Sequence, residues 1–319
     1  MTNVAPKVFI DGEAGTTGLQ ILQRLDGRTD LQLLSIDPAK RKDEAARAEL
    51  LNAADVVILC LPDDAAKEAV KLITNAKTKV IDASTAHRVA DGWVFGFPEM
   101  DKGQRAKIAA ATRISNPGCY STGAIALLRP LVSAGVVAPN YPVTINAVSG
   151  YSGGGKAMIA EFENKADPTY TDVPFRLYAF ELVHKHVPEI QKWSGLSLRP
   201  YFAPSVGRYN QGMLVEVPLH LSLLPGEPKI ADIHAVLSKH YDGEKFVTVV
   251  PLAESGALKT LPPEQLNGTN QMKLYVFGSD KAGQARLVAQ LDNLGKGASG
   301  AAVQSLNIAL GLPESAGLN

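Results

Sequence analysis

Short apolar runs alternate with helical segments over the first eighty residues, and this rhythm limits the fold more than any other feature. Val8-Phe9-Ile10, Leu31 to Ile36, Val56 to Leu61 and Lys79 to Asp82 read as strands, and Leu19 to Leu25, Asp43 to Ala53 and Ala65 to Ile73 carry helical apolar spacing between them. A β-α-β-α order predicts a parallel sheet with helices on both faces. The texture changes after Asn116-Pro117-Gly118. A helix is expected over Tyr120 to Ala134, and Val143 to Val148, Met213 to Leu221, Phe246 to Val250 and Met272 to Phe277 read as strands joined by longer Gly- and Pro-rich loops. That pattern predicts an α+β unit on an antiparallel or mixed sheet. The tail, Ala298 to Leu310, returns to helical spacing.

Composition narrows the function classes. The 319 residues hold 32 basic and 32 acidic side chains, a formal net charge of zero. Such a chain has no bulk attraction for nucleic acid or an anionic membrane, so neither is expected as a partner. The opening MTNVAPKVFI lacks a charged start followed by a long apolar run, and no apolar stretch reaches membrane-spanning length. A soluble, cytoplasmic protein is expected. The two cysteines, Cys60 and Cys119, form no C-x-x-C pair and no Cys/His spacing typical of zinc. No metal and no disulfide framework are expected.

Gly12-Glu13-Ala14-Gly15-Thr16-Thr17-Gly18 follows the first strand and opens the first helix. Glycines let backbone N–H groups approach a pyrophosphate, and a helix N-terminus favours the anion. Gly12, Gly15, Thr16, Thr17 and Gly18 are therefore candidate dinucleotide contacts. The spacing is G-x-x-G-x-x-G rather than the common G-x-G-x-x-G, and an ordinary strand-to-helix turn is the competing reading. Asp37, ending the second strand, suits a ribose 2′-hydroxyl and NAD. Lys40, Arg41 and Lys42 suit a 2′-phosphate and NADP. The residues alone leave that choice open.

Cys119 is the candidate nucleophile. Pro117-Gly118 turns the chain, and the helix that follows places the sulfur at a helix N-terminus, where thiolate is favoured over thiol. Cys60, inside the apolar run Val56 to Leu61, reads as a buried, inert thiol. The ordered set Gly12 to Gly18, Asp82-Ala83-Ser84-Thr85-Ala86-His87-Arg88, Asn116-Pro117-Gly118-Cys119-Tyr120, Val148 to Lys156 and His184-Lys185-His186-Val187-Pro188-Glu189-Ile190 resembles the N-acetyl-gamma-glutamyl-phosphate reductases, in their shorter type 2 form, over nearly the whole chain.

The resemblance implies a Rossmann-type domain over residues 1–118, completed by the C-terminal segment 298–319. It implies an α+β catalytic and oligomerisation domain of the semialdehyde/glyceraldehyde-3-phosphate dehydrogenase kind over 119–297. The cofactor implied is NADPH, with Arg41 in the cluster beside the 2′-phosphate, and the substrate is an acyl phosphate. A homo-oligomer, dimer or tetramer, is expected. Cys119 would form a thioester, with His186 as acid/base and His184 at phosphate or substrate. Arg88 and Asn116 would hold the leaving phosphate or substrate, Ser152 in the Ser149–Lys156 loop an anion or the thioester oxygen, and Arg208 the substrate carboxylate. Asn307 would meet the nicotinamide amide. Three rivals remain at this level: an aspartate-semialdehyde dehydrogenase-like reductase, a cysteine hydrolase using Cys119 and His186, and a dinucleotide-binding regulator.

Overall fold

A computed structural model describes residues 5–319, and its chain separates into two compact units. The first comprises residues up to Pro98, Gly103–Pro117 and Ala298–Asn319; the second comprises Glu99–Lys102 and Gly118–Gly297.

In the first unit the strands are β1 (Lys7–Asp11), β2 (Gln32–Leu34), β3 (Val56–Leu59), β4 (Lys79–Asp82), β5 (Val94–Phe95) and β6 (Arg113–Ser115). They form a sheet in the order β2-β1-β3-β4-β6-β5, with every pair parallel. The helices are α1 (Thr16–Leu25), α2 (Glu44–Ala53), α3 (Asp63–Leu72), α4 (Gln104–Ala110) and the chain's last helix, α10 (Gly300–Leu310). Successive strand residues point to opposite faces, so two cores form. Val8, Ile10, Val56, Ile58, Ile81 and Ile114 pack with Ile21, Leu25, Ile108, Val303 and Leu306 from α1, α4 and α10. Phe9, Val57, Leu59 and Val80 pack with Leu51, Ala66 and Ala69 from α2 and α3. The parallel sheet with helices on both faces is as expected. The second strand is shorter than its apolar run because it lies at the sheet edge, where Gln32 and Leu33 are exposed.

The second unit opens with α5 (Cys119–Ser133), β7 (Thr144–Gly150), α6 (Gly155–Glu163), β8 (Phe175–Leu177), α7 (Val187–Ser194), β9 (Tyr201–Gly207) and β10 (Met213–His220). It continues through α8 (Ile230–His240), β11 (Val247–Val249), α9 (Leu252–Ala257), β12 (Met272–Ser279) and β13 (Gln284–Leu291). The sheet order is β11-β12-β13-β10-β7-β9-β8. The pairs β7–β9 and β11–β12 are parallel and the others antiparallel, so the sheet is mixed. Alternation in β10 and β13 sends Met213, Val215, Val217, Leu287, Ala289 and Leu291 into the core, beneath α5. The opposite face carries Leu214, Phe277 and Val288 beside Phe175, Leu177 and Leu258, lining an open groove of about 660 Å³.

The seat of α5 is tight. A Cβ added at Gly123 would lie 2.8 Å from Val215 Cγ2 and 3.3 Å from the Ala289 Cβ. Gly to Ala in a helix ordinarily gains about 0.5–1 kcal/mol, but overpacking costs about 1–3 kcal/mol. Gly123→Ala is therefore expected to lower the urea midpoint; an unchanged or raised midpoint would show that the helix is free to lift.

Candidate active site

In the first unit every candidate but Asn307 follows the carboxyl end of a parallel strand, where ligands bind such sheets. After β1 the chain turns through Gly12, whose φ of +91° is left-handed backbone, and the Gly15 N–H closes on the Gly12 carbonyl at 3.0 Å. A Cβ on Gly12 would strike the Cys60 carbonyl oxygen, and one on Gly18 would strike the Gly12 carbonyl. Gly15 is the N-cap of α1 and brings no side chain to it, so the N–H groups at Thr16, Thr17 and Gly18 head a helix without a side-chain cap. This bare helix N-terminus under a tight glycine turn suits a pyrophosphate.

After β2, Asp37 turns back on its own chain, its Oδ1 accepting the Ala39 N–H at 2.9 Å. Arg41 reaches the glycine loop, with Nη2 2.7 Å from Glu13 Oε1. The carboxylate expected to select NAD is thus engaged in a turn, while a guanidinium stands beside the loop. After β3 comes Cys60, whose thiol is pushed up to about 12 by burial and by the charges of Asp82 and Asp11. It is inert at neutral pH, as its apolar setting suggests.

After β4, two carboxylates hold the Ser84–Arg88 segment. Asp82 accepts from the Ser84 N–H and hydroxyl at 2.9 and 2.7 Å and lies 2.6 Å from His87 Nδ1. Asp63 accepts from the Thr85 N–H at 2.8 Å and from its hydroxyl. The His87 ring stacks on Trp93 at 4.1 Å. Arg88 is buried, with Nη2 3.4 Å from the Ala83 carbonyl. After β6 stands Asn116, 1% exposed, whose Nδ2 donates to the Ala298 carbonyl at 3.0 Å. Its Oδ1 is buried without a partner. A buried acceptor in this state calls for a donor.

In the second unit Cys119 is the first residue of α5, with Gly118 as an N-cap that has no side chain to offer. The cap comes from another helix: the Gly118 N–H donates to Glu189 Oε2 at 3.2 Å. Glu189 lies in the first turn of α7, and its Oε1 is 3.9 Å from His186 Nε2. The His186 N–H donates to His184 Nδ1 at 3.2 Å, and the two rings meet edge to face at 4.8 Å. Both pack around Tyr120, at 6.0 Å for His184 and 5.7 Å for His186. The Tyr178 hydroxyl donates to the Tyr120 hydroxyl at 3.2 Å, which donates to the Ser205 carbonyl at 3.0 Å. Burial is the main force raising both phenols, Tyr178 to about 12, and the neighbouring Cys119 charge adds to it. His184 and His186 thus pack around Tyr120, the residue that follows Cys119 in α5.

Two models of the semialdehyde dehydrogenase family match the chain. Residues 7–110 match its NAD binding domain and residues 119–293 its dimerisation domain. The chain is 54% identical to N-acetyl-gamma-glutamyl-phosphate reductase 2 of Nostoc sp. over 98% of its length and 99% of that protein. It is 57% identical to N-acetyl-gamma-glutamyl-phosphate reductase of Brucella ovis over 96% and 99%. The chain belongs to the N-acetyl-gamma-glutamyl-phosphate reductase family. Its fold is shared with aspartate semialdehyde dehydrogenase II of Vibrio cholerae, solved in complex with ASA, at a TM-score of 0.72 and 16% identity over 97% and 99% of the two chains. The Candida albicans aspartate semialdehyde dehydrogenase, solved with NADP, is similar at a TM-score of 0.65 and 13% identity over 96% and 98% of the two chains.

Two expectations for this reductase need correction. Asn307 was expected at the nicotinamide, but it is fully buried in α10: its Nδ2 donates to the Glu314 and Ala316 carbonyls at 3.0 and 2.9 Å, and its Oδ1 accepts from Arg28 at 2.8 Å. Both of its amide donors are spent pinning the C-terminal segment. Arg208 was expected at the substrate carboxylate, but it donates to the Thr171 carbonyl at 2.7 Å and to the Tyr170 hydroxyl at 3.3 Å, with its guanidinium over the Phe162 ring. It braces the 162–171 segment. Ser152 is buried, its Oγ accepting from Asn293 at 3.0 Å. Glu189, Tyr178 and the Asp82–His87 pair carried no role in the sequence reading. The signal for Glu189 was present, since a residue three after His186 at a helix start shares its face.

Gly12→Ala tests the cofactor loop. The left-handed φ and the blocked Cβ site should cost roughly 1–3 kcal/mol of stability and weaken NADPH binding at least tenfold by fluorescence titration. Unaltered affinity would place the dinucleotide elsewhere.

Proposed function

We propose that the chain reduces N-acetyl-glutamyl 5-phosphate to N-acetylglutamate 5-semialdehyde, releasing phosphate, with NADPH as cofactor and a thioester on Cys119 as intermediate. The observation that carries this reading is the cysteine at the first residue of α5, whose next residue, Tyr120, packs against the rings of His184 and His186. A thiolate is favoured at that helix end. Its sulfur attacks the acyl carbon, the bond to the phosphate oxygen breaks, and phosphate leaves with the electron pair. Arg88 and His184 bind that phosphate, the guanidinium offering a fork of donors.

Gly12, Gly15, Thr16, Thr17 and Gly18 hold the pyrophosphate, and Arg41 holds the 2′-phosphate. Bound NADPH supplies the hydride that reduces the thioester carbon. His186 donates a proton to the oxygen as negative charge gathers there, and takes it back as the C–S bond breaks to give aldehyde and thiolate. Asn116 was expected at the leaving phosphate or the substrate. Its Nδ2 is engaged and its remaining atom is an acceptor, so a ligand N–H, from a carboxamide or the substrate amide, suits it better.

Both matched family domains and the relatives' names support a homo-oligomer acting on a small molecule. Among the described residues, no helix is long and apolar enough to cross a membrane. The dimer is proposed to form through the open sheet face, where Phe175 and Leu177 are about half exposed beside the groove. Leu177→Asp is expected to convert the dimer to monomer by light scattering with the circular dichroism spectrum unchanged. A wild-type monomer, or a variant that still dimerises, would remove this face from the assembly.

The covalent step has a direct test. Wild-type protein given the acyl phosphate without NADPH should accumulate a hydroxylamine-sensitive acyl adduct on the peptide holding Cys119. Cys119→Ser should form none and lose turnover while still binding NADPH, because a serine hydroxyl is hardly ionised at neutral pH. Cys60→Ser should keep turnover. An adduct on Cys60, or substantial activity in Cys119→Ser, would end the thioester mechanism and favour another chemistry.

A further inference from the structure

A further contact on Cys119 comes from the last residues of the second unit. A Cβ built on Gly297 would lie 2.8 Å from the Cys119 Cβ, 3.2 Å from its Cα and 3.1 Å from the Asp292 carbonyl oxygen. Cα and Cβ atoms cannot swing aside as the end of a long side chain does, so only glycine fits here. Gly297 lies in a π turn, Gly295–Ser299, and its N–H closes on the Asp292 carbonyl at 2.9 Å. Turns of this kind are rare and occur frequently at functional sites. The turn is clamped twice. Before it, the fully buried Asp292 carboxylate accepts from the Leu294 and Gly268 N–H groups at 2.8 Å each and from the Gln211 side chain. Within it, Lys296 is 1% exposed, and its Nζ donates to both oxygens of Glu99 at 2.8 Å.

Glu99 is itself fixed. Its carbonyl lies 3.1 Å from His240 Nε2 of α8, and Asp101 takes the Arg129 guanidinium of α5 in two bonds of 2.9 Å. The Phe246 ring stands 5.7 Å from the Lys296 ammonium. An ion pair so enclosed gains little net stability, because desolvation offsets the attraction, but its short contacts hold what it joins in one geometry. We infer that Lys296 is a positioning residue for Cys119: anchored on Glu99, it fixes the π turn that seats Gly297 against the nucleophile's backbone, and so sets where the sulfur stands. The inference rests on the reading of Cys119 as nucleophile. The first residue of a helix is held by the helix from one side only. Gly297 supplies the constraint on the other atoms of Cys119. Placement matters here, since a shift of about 1 Å at a reacting atom costs roughly 100-fold in rate.

Substituting one partner leaves a buried charge behind and damages stability whatever the pair does. The double variant Lys296→Met/Glu99→Gln removes both charges and should keep the thermal midpoint near that of the wild type. In the aldehyde-oxidising direction, with phosphate and NADP, its kcat should fall about 10- to 100-fold with the KM for NADP unchanged, because a flexible Met no longer fixes the turn. Gly297→Ala strikes the same contact without touching a charge. It should give the same split, with kcat down about 100-fold and the KM for NADP unchanged. Wild-type kcat in either folded variant would overturn the inference, and so would a KM for NADP that rises in step with the loss of kcat. Should the double variant lose its fold, Gly297→Ala decides alone. The acyl adduct separates this role from the reading beneath it. An adduct on wild-type Cys119 together with an undiminished kcat in Gly297→Ala would overturn the positioning role and leave the nucleophile standing. A wild-type protein that forms no adduct on Cys119 would overturn the nucleophile, and this inference with it.

Discussion

A helix that starts inside a protein must satisfy N–H groups that have no partner within the helix. The α5 helix starts this way: Gly118 is buried, and Tyr120 to Leu128 are buried in succession. Neither Gly118 nor Pro117 has a side chain that can cap it. The need is met from α7, by Glu189 on the Gly118 N–H. The Ser121 and Thr122 hydroxyls turn back to the Gly118 carbonyl at 3.1 and 2.9 Å, tightening the same turn. A cysteine at this point lies at the positive end of a helix. Reactivity and packing are therefore one problem, and α7, which carries both Glu189 and its N-cap His186, solves them together.

The first unit solves a different problem, the arrangement of loops at one edge of a parallel sheet whose strands β1 and β4 end in buried carboxylates. Parallel strands end together, and their following loops share one edge. Gly12 follows β1, Arg41 follows β2, Cys60 follows β3, Arg88 follows β4 and Asn116 follows β6. Each loop is braced by its own buried carboxylate or turn. Asp11, the last residue of β1, takes Arg47 at 2.7 Å, and Asp82, the last residue of β4, takes Ser84 and His87. The acidic residues at the strand ends thus serve as anchors for the loops. Arg41 and Arg88 place guanidinium groups in the loops that follow β2 and β4.

What was legible in the sequence was what depends on local pattern. The strands Val56 to Leu61 and Lys79 to Asp82, the helix after Pro117-Gly118 and the position of Cys119 all follow from periodicity and turn chemistry. The strands β9 and β13 did not. Ala285-Arg286-Leu287-Val288-Ala289-Gln290 lacks the β-branched alternation of a strand, and its pairing with β10 and β12 comes from sheet neighbours distant in sequence. Asn307 and Arg208 failed for a related reason. A polar side chain on a helix or loop can face a ligand or a backbone carbonyl, and only the fold shows that Glu314 and Ala316 reach Asn307, or that Thr171 reaches Arg208. Glu189 was visible within the His184–Ile190 motif, yet nothing local joins it to Gly118.

The two cysteines show how far environment outweighs residue type. Cys60 and Cys119 each retain partial exposure. Cys60 follows the end of a strand, where the Asp82 and Asp11 carboxylates add to burial in suppressing its anion. Cys119 meets a carboxylate too, through Glu189 on the adjacent residue, but there the charge is opposed by the helix end and by an imidazole that can be protonated. A carboxylate near a thiol therefore has no fixed effect. Where it stands alone it keeps the sulfur protonated. At Cys119 the carboxylate is shared with a helix N-terminus, so the sulfur stands where positive charge as well as negative is at hand.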